Sequence, residues 1–177
     1  MVYRYLCDSE HYHSLLFESS PPEDWLADFN GQSQINGWEP LRVRLNKEKA
    51  LGDFAYLAGH IPTFSEKALK CLLPFIESSV EVLPLQLIDQ SDTTFYAINV
   101  TRSVDCLDRD ASKLDLFSNH IMNIRHHVFK PGSLEGLTIF RIGGYELGGC
   151  YVSDQFRAAV ETNGLLGLLW EPLDKWE

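Results

Sequence analysis

The chain has 177 residues, 45% of them hydrophobic and 23% charged, with a formal net charge of −10. That balance supports a buried core and excludes a disordered chain. No apolar run approaches the roughly 20 residues a membrane helix needs, and the shortage of bases disfavours nucleic acid, whose phosphates require a basic footprint.

In chain order, residues 2–6 read as a first strand. The opening, Met1-Val2-Tyr3-Arg4-Tyr5, lacks the long apolar stretch of a secretory signal, so the cytoplasm is the expected location. Residues 8–40 are polar and turn-rich, with Pro21-Pro22, Asn30-Gly31 and Asn36-Gly37; Trp25-Leu26-Ala27-Asp28-Phe29 suggests a short helix. Residues 1–40 hold one base, Arg4, against the seven acids Asp8, Glu10, Glu18, Glu23, Asp24, Asp28 and Glu39, a formal −6. They are expected to be an acidic, partly irregular segment packed on the core of one domain spanning 1–177. Such a charge either solubilises the surface or meets a basic partner. Leu41-Arg42-Val43-Arg44-Leu45 alternates as a half-buried strand does, and residues 47–57 have helical character up to the break at His60-Ile61-Pro62.

A unit of cap, helix and strand then occurs twice at an offset of 88 residues, Ser65 matching Ser153, Leu72 matching Val160, Val82 matching Trp170 and Pro84 matching Pro172. Ser65 and Ser153 occupy N-cap positions, where a hydroxyl accepts a free first-turn N–H. Ala68 and Leu72 in one copy, and Phe156, Ala159 and Val160 in the other, form apolar helix faces. Pro74 is expected to end or kink the first helix, because its ring clashes with the carbonyl of Lys70. Gly164 is a good residue to terminate the second, after which residues 165–170 read as a strand. Between the copies, residues 95–100 form a strand able to pair with 80–87 in a hairpin. A polar stretch runs to Asn119, residues 121–129 are β-prone, and residues 137–142 form another strand before Gly143-Gly144. These elements predict an α+β fold: a mixed, mostly antiparallel sheet with a few short helices.

Candidate chemistry is sparse. Cys7, Cys71, Cys106 and Cys150 are too scattered for the close ligand spacing of a zinc site and read as free buried thiols. Asp105, Asp108 and Asp110 could gather a hard cation, but no phosphate-binding loop accompanies them, and turn capping explains them as well. On a strand, His126 and His127 point to opposite faces and cannot both reach one ion. The glycines of 143–149 lead into a short strand rather than a helix, which argues against a phosphate cradle. Ser153 lacks the elbow of a nucleophilic serine. Trp25 and Trp38, among acids, suit either an interface or packing of the segment on the core.

Four stretches resemble the myxobacterial-type immunity-protein family of bacterial polymorphic toxin systems. They are Trp38-Glu39-Pro40 with Asp53-Phe54; Pro62-Thr63-Phe64-Ser65-Glu66 with Glu81-Val82-Leu83-Pro84-Leu85; Tyr96-Ala97-Ile98-Asn99-Val100 with Val104-Asp105-Cys106-Leu107-Asp108 and Ser112; and Ile139-Phe140-Arg141 with Tyr151-Val152-Ser153-Asp154-Gln155-Phe156 and residues 164–172. The resemblance implies an antidote that binds and neutralises a cognate toxin without catalysis. It carries over no catalytic residue, metal or cofactor, and does not say what the toxin does. The partner is then expected to be a basic toxin domain meeting Glu23, Asp24, Trp25, Asp28 and Trp38. The fallback surface is the 143–149 loop with the 103–115 turn. The rival readings are a metal-dependent hydrolase or damage-reversing enzyme using Asp105 and Asp108, and a small-ligand-binding regulatory module.

Overall fold

The computed structural model describes residues 1–21, 25–59, 61–89 and 93–173. The first half runs β1 (Val2–Arg4), β2 (Leu6–Cys7), β3 (Leu15–Phe17), α1 (Trp25–Asp28), β4 (Arg42–Leu45), β5 (Thr63–Ser65), α2 (Glu66–Ile76), β6 (Val80–Pro84) and β7 (Gln86–Leu87). The second runs β8 (Phe95–Val100), β9 (Ser103–Val104), β10 (Lys113–Phe117), β11 (His120–His126), β12 (Ile139–Ile142), β13 (Tyr151–Ser153), α3 (Asp154–Thr162) and β14 (Leu168–Leu169). Pairing is mostly antiparallel; β12 with β9 and β4 with β7 are the parallel pairs among the described residues. This is the mixed α+β architecture that the patterning predicts. Among the described residues no helix is long and apolar enough to cross a membrane.

The repeated unit is present down to strand register. β5 and β6 flank β8, so that Phe64 and Pro84 both pair with Tyr96. In the second copy β13 and the segment after β14 flank β1, so that Val152 and Pro172 both pair with Tyr3. The correspondence continues outward: Ser65 faces Phe95 as Ser153 faces Val2, and Val80 faces Val100 as Leu168 faces Cys7. The two helices pack together, Ala68, Leu72 and Ile76 of α2 sharing one buried cluster with Phe156, Ala159 and Val160 of α3.

Asp53 ties the copies. Its carboxylate accepts from the Ser65 hydroxyl (3.1 Å), the Lys67 ammonium (3.3 Å) and the Leu166 N–H beyond α3 (3.0 Å). Gly167, at φ +113°, is needed at this junction, since a Cβ there would stand 2.7 Å from the Phe54 carbonyl oxygen. A second buried cluster joins Leu15, Trp25, Phe29 and Val43 to Phe95 and Ala97, which fastens the acidic segment. A third, with Cys106, Ile121, Ile124, Phe140 and Tyr151, underlies β10 and β11.

Several expectations need correction. Residues 47–57 are not helical: Ala50, Phe54 and Tyr56 form bridges to Tyr12, Phe64 and Ser14, so neighbouring strands take the backbone. The last strand is only Leu168–Leu169, and Trp170 falls just past it, edge-on to Tyr3 at 5.6 Å. α2 continues two residues beyond Pro74 and then tightens into a 3-10 turn at Glu77–Ser79. Gly164 does end α3, at φ +56°. Ser153 stands at the N-cap with extended backbone, but its hydroxyl makes no capping bond; the Asp154 N–H donates instead to the Met1 carbonyl at 3.2 Å. The polar stretch before Asn119 contains β10, half of a hairpin that the sequence reading did not find.

Candidate functional site

The acidic segment is built onto β6 and β8 through one carboxylate. Glu81 accepts hydrogen bonds from the Gln34 N–H (2.8 Å), the Asn99 side-chain amide (2.9 Å) and the Ser33 hydroxyl. The same Asn99 amide donates to the Gln32 carbonyl at 2.7 Å. Burial pushes the Glu81 carboxyl up, but these donors outweigh it and hold it below the usual range, so it stays ionised. The Trp38 indole N–H donates to the Pro84 carbonyl at 2.8 Å, and the Gln34 side chain donates to the Asp28 carbonyl at 2.9 Å. The result is a polar groove of about 330 Å3 lined by Asp28, Trp38 and the amides of Asn30, Gln32, Gln34 and Asn36.

Two of the residues expected to face a partner therefore share one surface: Asp28 is exposed and Trp38 is half-buried on the same groove. Trp25 goes to packing rather than interface. It is only 6% exposed, its ring edge-on to Phe17 at 5.3 Å and Phe29 at 5.1 Å, because the segment has to cover Leu15 and Val43. Glu23 and Asp24 lie outside the described residues. Sequence reasoning missed the amides, whose signal was the Asn, Gln and Ser run between the two Asn-Gly pairs.

Two aspartates of the 103–115 turn, Asp105 and Asp108, are engaged structurally. Asp105 pairs with Lys130 at 2.7 Å, and that ammonium holds its carboxyl below the usual range. One Asp108 oxygen accepts the N–H groups of Asp110 and Ala111, both at 3.1 Å, which is turn capping. Among the described residues no three His, Cys, Asp or Glu side chains are grouped to hold a metal ion. His127 is half-buried beside Tyr151, whose hydroxyl is 3.2 Å from its Nε2, and burial together with Arg4 and His126 pushes its pKa down to about 4. Burial raises the Cys7 and Cys106 thiols to about 12 and 11, where thiolate nucleophiles do not form at neutral pH.

The fallback loop is pinned as well. Arg141, fully buried, donates to the Val100 carbonyl at 2.9 Å and to the Glu146 carbonyl at 2.7 Å, and the Glu146 carboxylate accepts from Ser103 (3.0 Å) and Gly144 (2.9 Å). A cavity of about 510 Å3 lies between β1 and the 127–137 connection, lined by Val2, Phe129, Leu134, Leu137 and Leu173. Ser153 and His127 also border it. Their Oγ and Nδ1 atoms have no hydrogen-bond partner among the described residues, yet both atoms are sealed from its open space. Asp154 and Gln155, both exposed, also line it, and the Asp154 carboxylate there pairs with the Met1 ammonium and accepts from the Tyr3 hydroxyl at 3.0 Å.

No protein of curated function matches the chain. The family model described as an immunity protein family matches residues 86–175, just over half of the chain, and includes the 96–112 and 139–172 stretches. The chain belongs to the immunity protein family (Imm11).

Proposed function

We propose that this protein is the antidote of a bacterial polymorphic toxin system, neutralising a cognate toxin domain in the cytoplasm by stoichiometric, non-catalytic binding. Family membership is the observation that carries this reading. The Asp105 and Asp108 geometry supports it from the other side, because both carboxylates are committed to an ion pair and a turn. The partner is a basic domain that approaches the acidic segment, with Glu23, Asp24 and Asp28 supplying charge, Trp38 lining the groove and Trp25 holding the segment in place from within. Opposite charges of this kind guide encounter more than they hold a complex.

The test is to produce this chain with the toxin domain encoded beside its gene. We expect rescue of growth, a complex that co-purifies at equal stoichiometry, and titration of toxin activity to an endpoint of one antidote per toxin. Rescue at far below equimolar antidote, with no complex, would show turnover and overturn the reading.

A further inference from the structure

The described surface carries an apolar projection that the acidic segment does not explain. From Leu107, bridged to Phe129, the chain runs out along β10 and returns along β11 as a two-stranded ribbon. Its root is fixed by the Asp108 N–H bonded to the Val128 carbonyl and the Lys130 N–H bonded to the Cys106 carbonyl, both at 2.8 Å. Ile121 and Ile124 bury one side against Phe140, Ile142 and Tyr151. The far end turns through Ser118 (φ 47°) and Asn119 (φ 66°), the left-handed pair of a tight hairpin turn whose twist matches that of the strands. At that end Leu116 is 56%, Met122 62% and Phe117 71% exposed, the last being the most exposed large apolar side chain among the described residues.

A ribbon of this kind is a liability for a soluble protein. Among the described residues no third strand pairs with it, and an open edge beside apolar side chains invites unwanted pairing. The edges are blunted: Asp115 and Arg125 form an ion pair at 2.8 Å across the strands, and the register shifts twice, between Lys113 and Leu114 and between Asp115 and Leu116. The tip is left apolar. A rigid tip of one aromatic residue, one Met and one Leu fits a surface meant to be covered, because aromatic residues and Met are enriched at interfaces and a preformed hairpin loses little freedom on docking. A second copy is disfavoured as the cover, since each copy carries −10 and the tip offers no counter-charge.

We infer that the β10–β11 tip is the apolar anchor of this protein, seated in an apolar cleft of its toxin through Phe117, Leu116 and Met122. The inference rests on the antidote reading and gives it a division of labour: the acidic segment steers, and the hairpin holds. On sequence alone, the acids and the tryptophans of the acidic segment are set together against the partner; with Trp25 inside the core, the holding role passes to the hairpin.

The test uses the full chain and an inactivated form of the toxin domain encoded beside it, with binding followed in real time. Phe117→Asp combined with Met122→Asp should speed dissociation by about thirtyfold or more and leave association within about threefold. Phe117→Ser alone, a milder change should the double variant lose its thermal transition, should speed it by about tenfold. Leu51→Asp, at an apolar site 56% exposed elsewhere, should bind like the wild type. Dissociation unchanged in the tip variants, or equally affected by Leu51→Asp, overturns the anchor while leaving the antidote reading intact. So does light scattering that shows a dimer which the tip variants convert to monomer. No binding by the wild-type chain overturns the antidote reading, and the anchor with it.

Discussion

Two serines at matching positions of the repeat have different jobs. Ser65 accepts the Ala68 N–H at 3.1 Å and donates to buried Asp53 at 3.1 Å, whereas the Ser153 hydroxyl is buried with no partner among the described residues. Ser65→Ala should cost about 1–2 kcal/mol, the usual worth of a lost cap. Ser153→Ala should be close to neutral, because an unpaired buried hydroxyl adds nothing to stability. Urea midpoints of the two variants check this, and equal losses would contradict it. His127 supplies a second expectation at this scale. Burial, then Arg4 and His126, lowers its pKa to about 4, while the neighbouring Tyr151 hydroxyl is neutral. An unfolded imidazole titrates near 6.5, so between those values the unfolded chain binds the extra proton. The contribution is complete above about pH 6.5 and is lost as pH falls toward 4. By pH 5 the loss should be about 1–2 kcal/mol relative to pH 7.5. His127→Gln should flatten this part of the melting temperature–pH profile, and an unchanged slope would locate the acid sensitivity elsewhere.

The elements show why the sequence was partly legible. The cap–helix–strand unit was readable because its signals are local: a Ser at the start, apolar residues on one helix face, then an apolar run. What each unit wraps around was not readable, since β8 follows its unit whereas β1 and β2 come from the opposite end of the chain to β13 and β14. The expected helix at 47–57 failed for a similar reason. Lys47-Glu48-Lys49-Ala50-Leu51 favours a helix on propensity, but the bridges at Ala50, Phe54 and Tyr56 to distant residues override it. β10 was missed although Lys113-Leu114-Asp115-Leu116 alternates as a strand does, because the polar residues on either side read as one continuous turn-rich stretch. The candidate surface shows the same division. Asp28 and Trp38 could be singled out from composition, but the clamp of Glu81 and Asn99 on residues 32–34 joins parts of the chain that only the fold brings together. The exposure of Phe117 likewise depends on where the hairpin ends, which no window of residues encodes.

At the scale of the whole molecule, charge and apolar surface are placed on different parts of the chain. Residues 1–40 carry −6 of the formal −10, whereas the hairpin from Lys113 to His126 holds two bases, Lys113 and Arg125, and one acid, Asp115, with His neutral. A long-range field acts before contact and is screened within roughly 10 Å at 0.1 M salt, whereas desolvated apolar contacts act only after docking. The two regions should therefore separate in kinetics. In Glu23→Lys with Asp24→Lys and Asp28→Lys, association with the neighbouring toxin domain should slow by about tenfold at low salt, and its salt dependence should flatten or reverse. Dissociation should stay within about twofold of wild type, since these acids steer without anchoring. The groove should survive, because Glu81 and Trp38 hold it through bonds in which the Asp28 side chain takes no part. An unchanged association rate and salt slope, in a protein that melts like the wild type, would remove the acidic segment from the encounter surface. A faster dissociation with an unchanged association rate would instead make it part of the anchor and collapse the division between steering and holding.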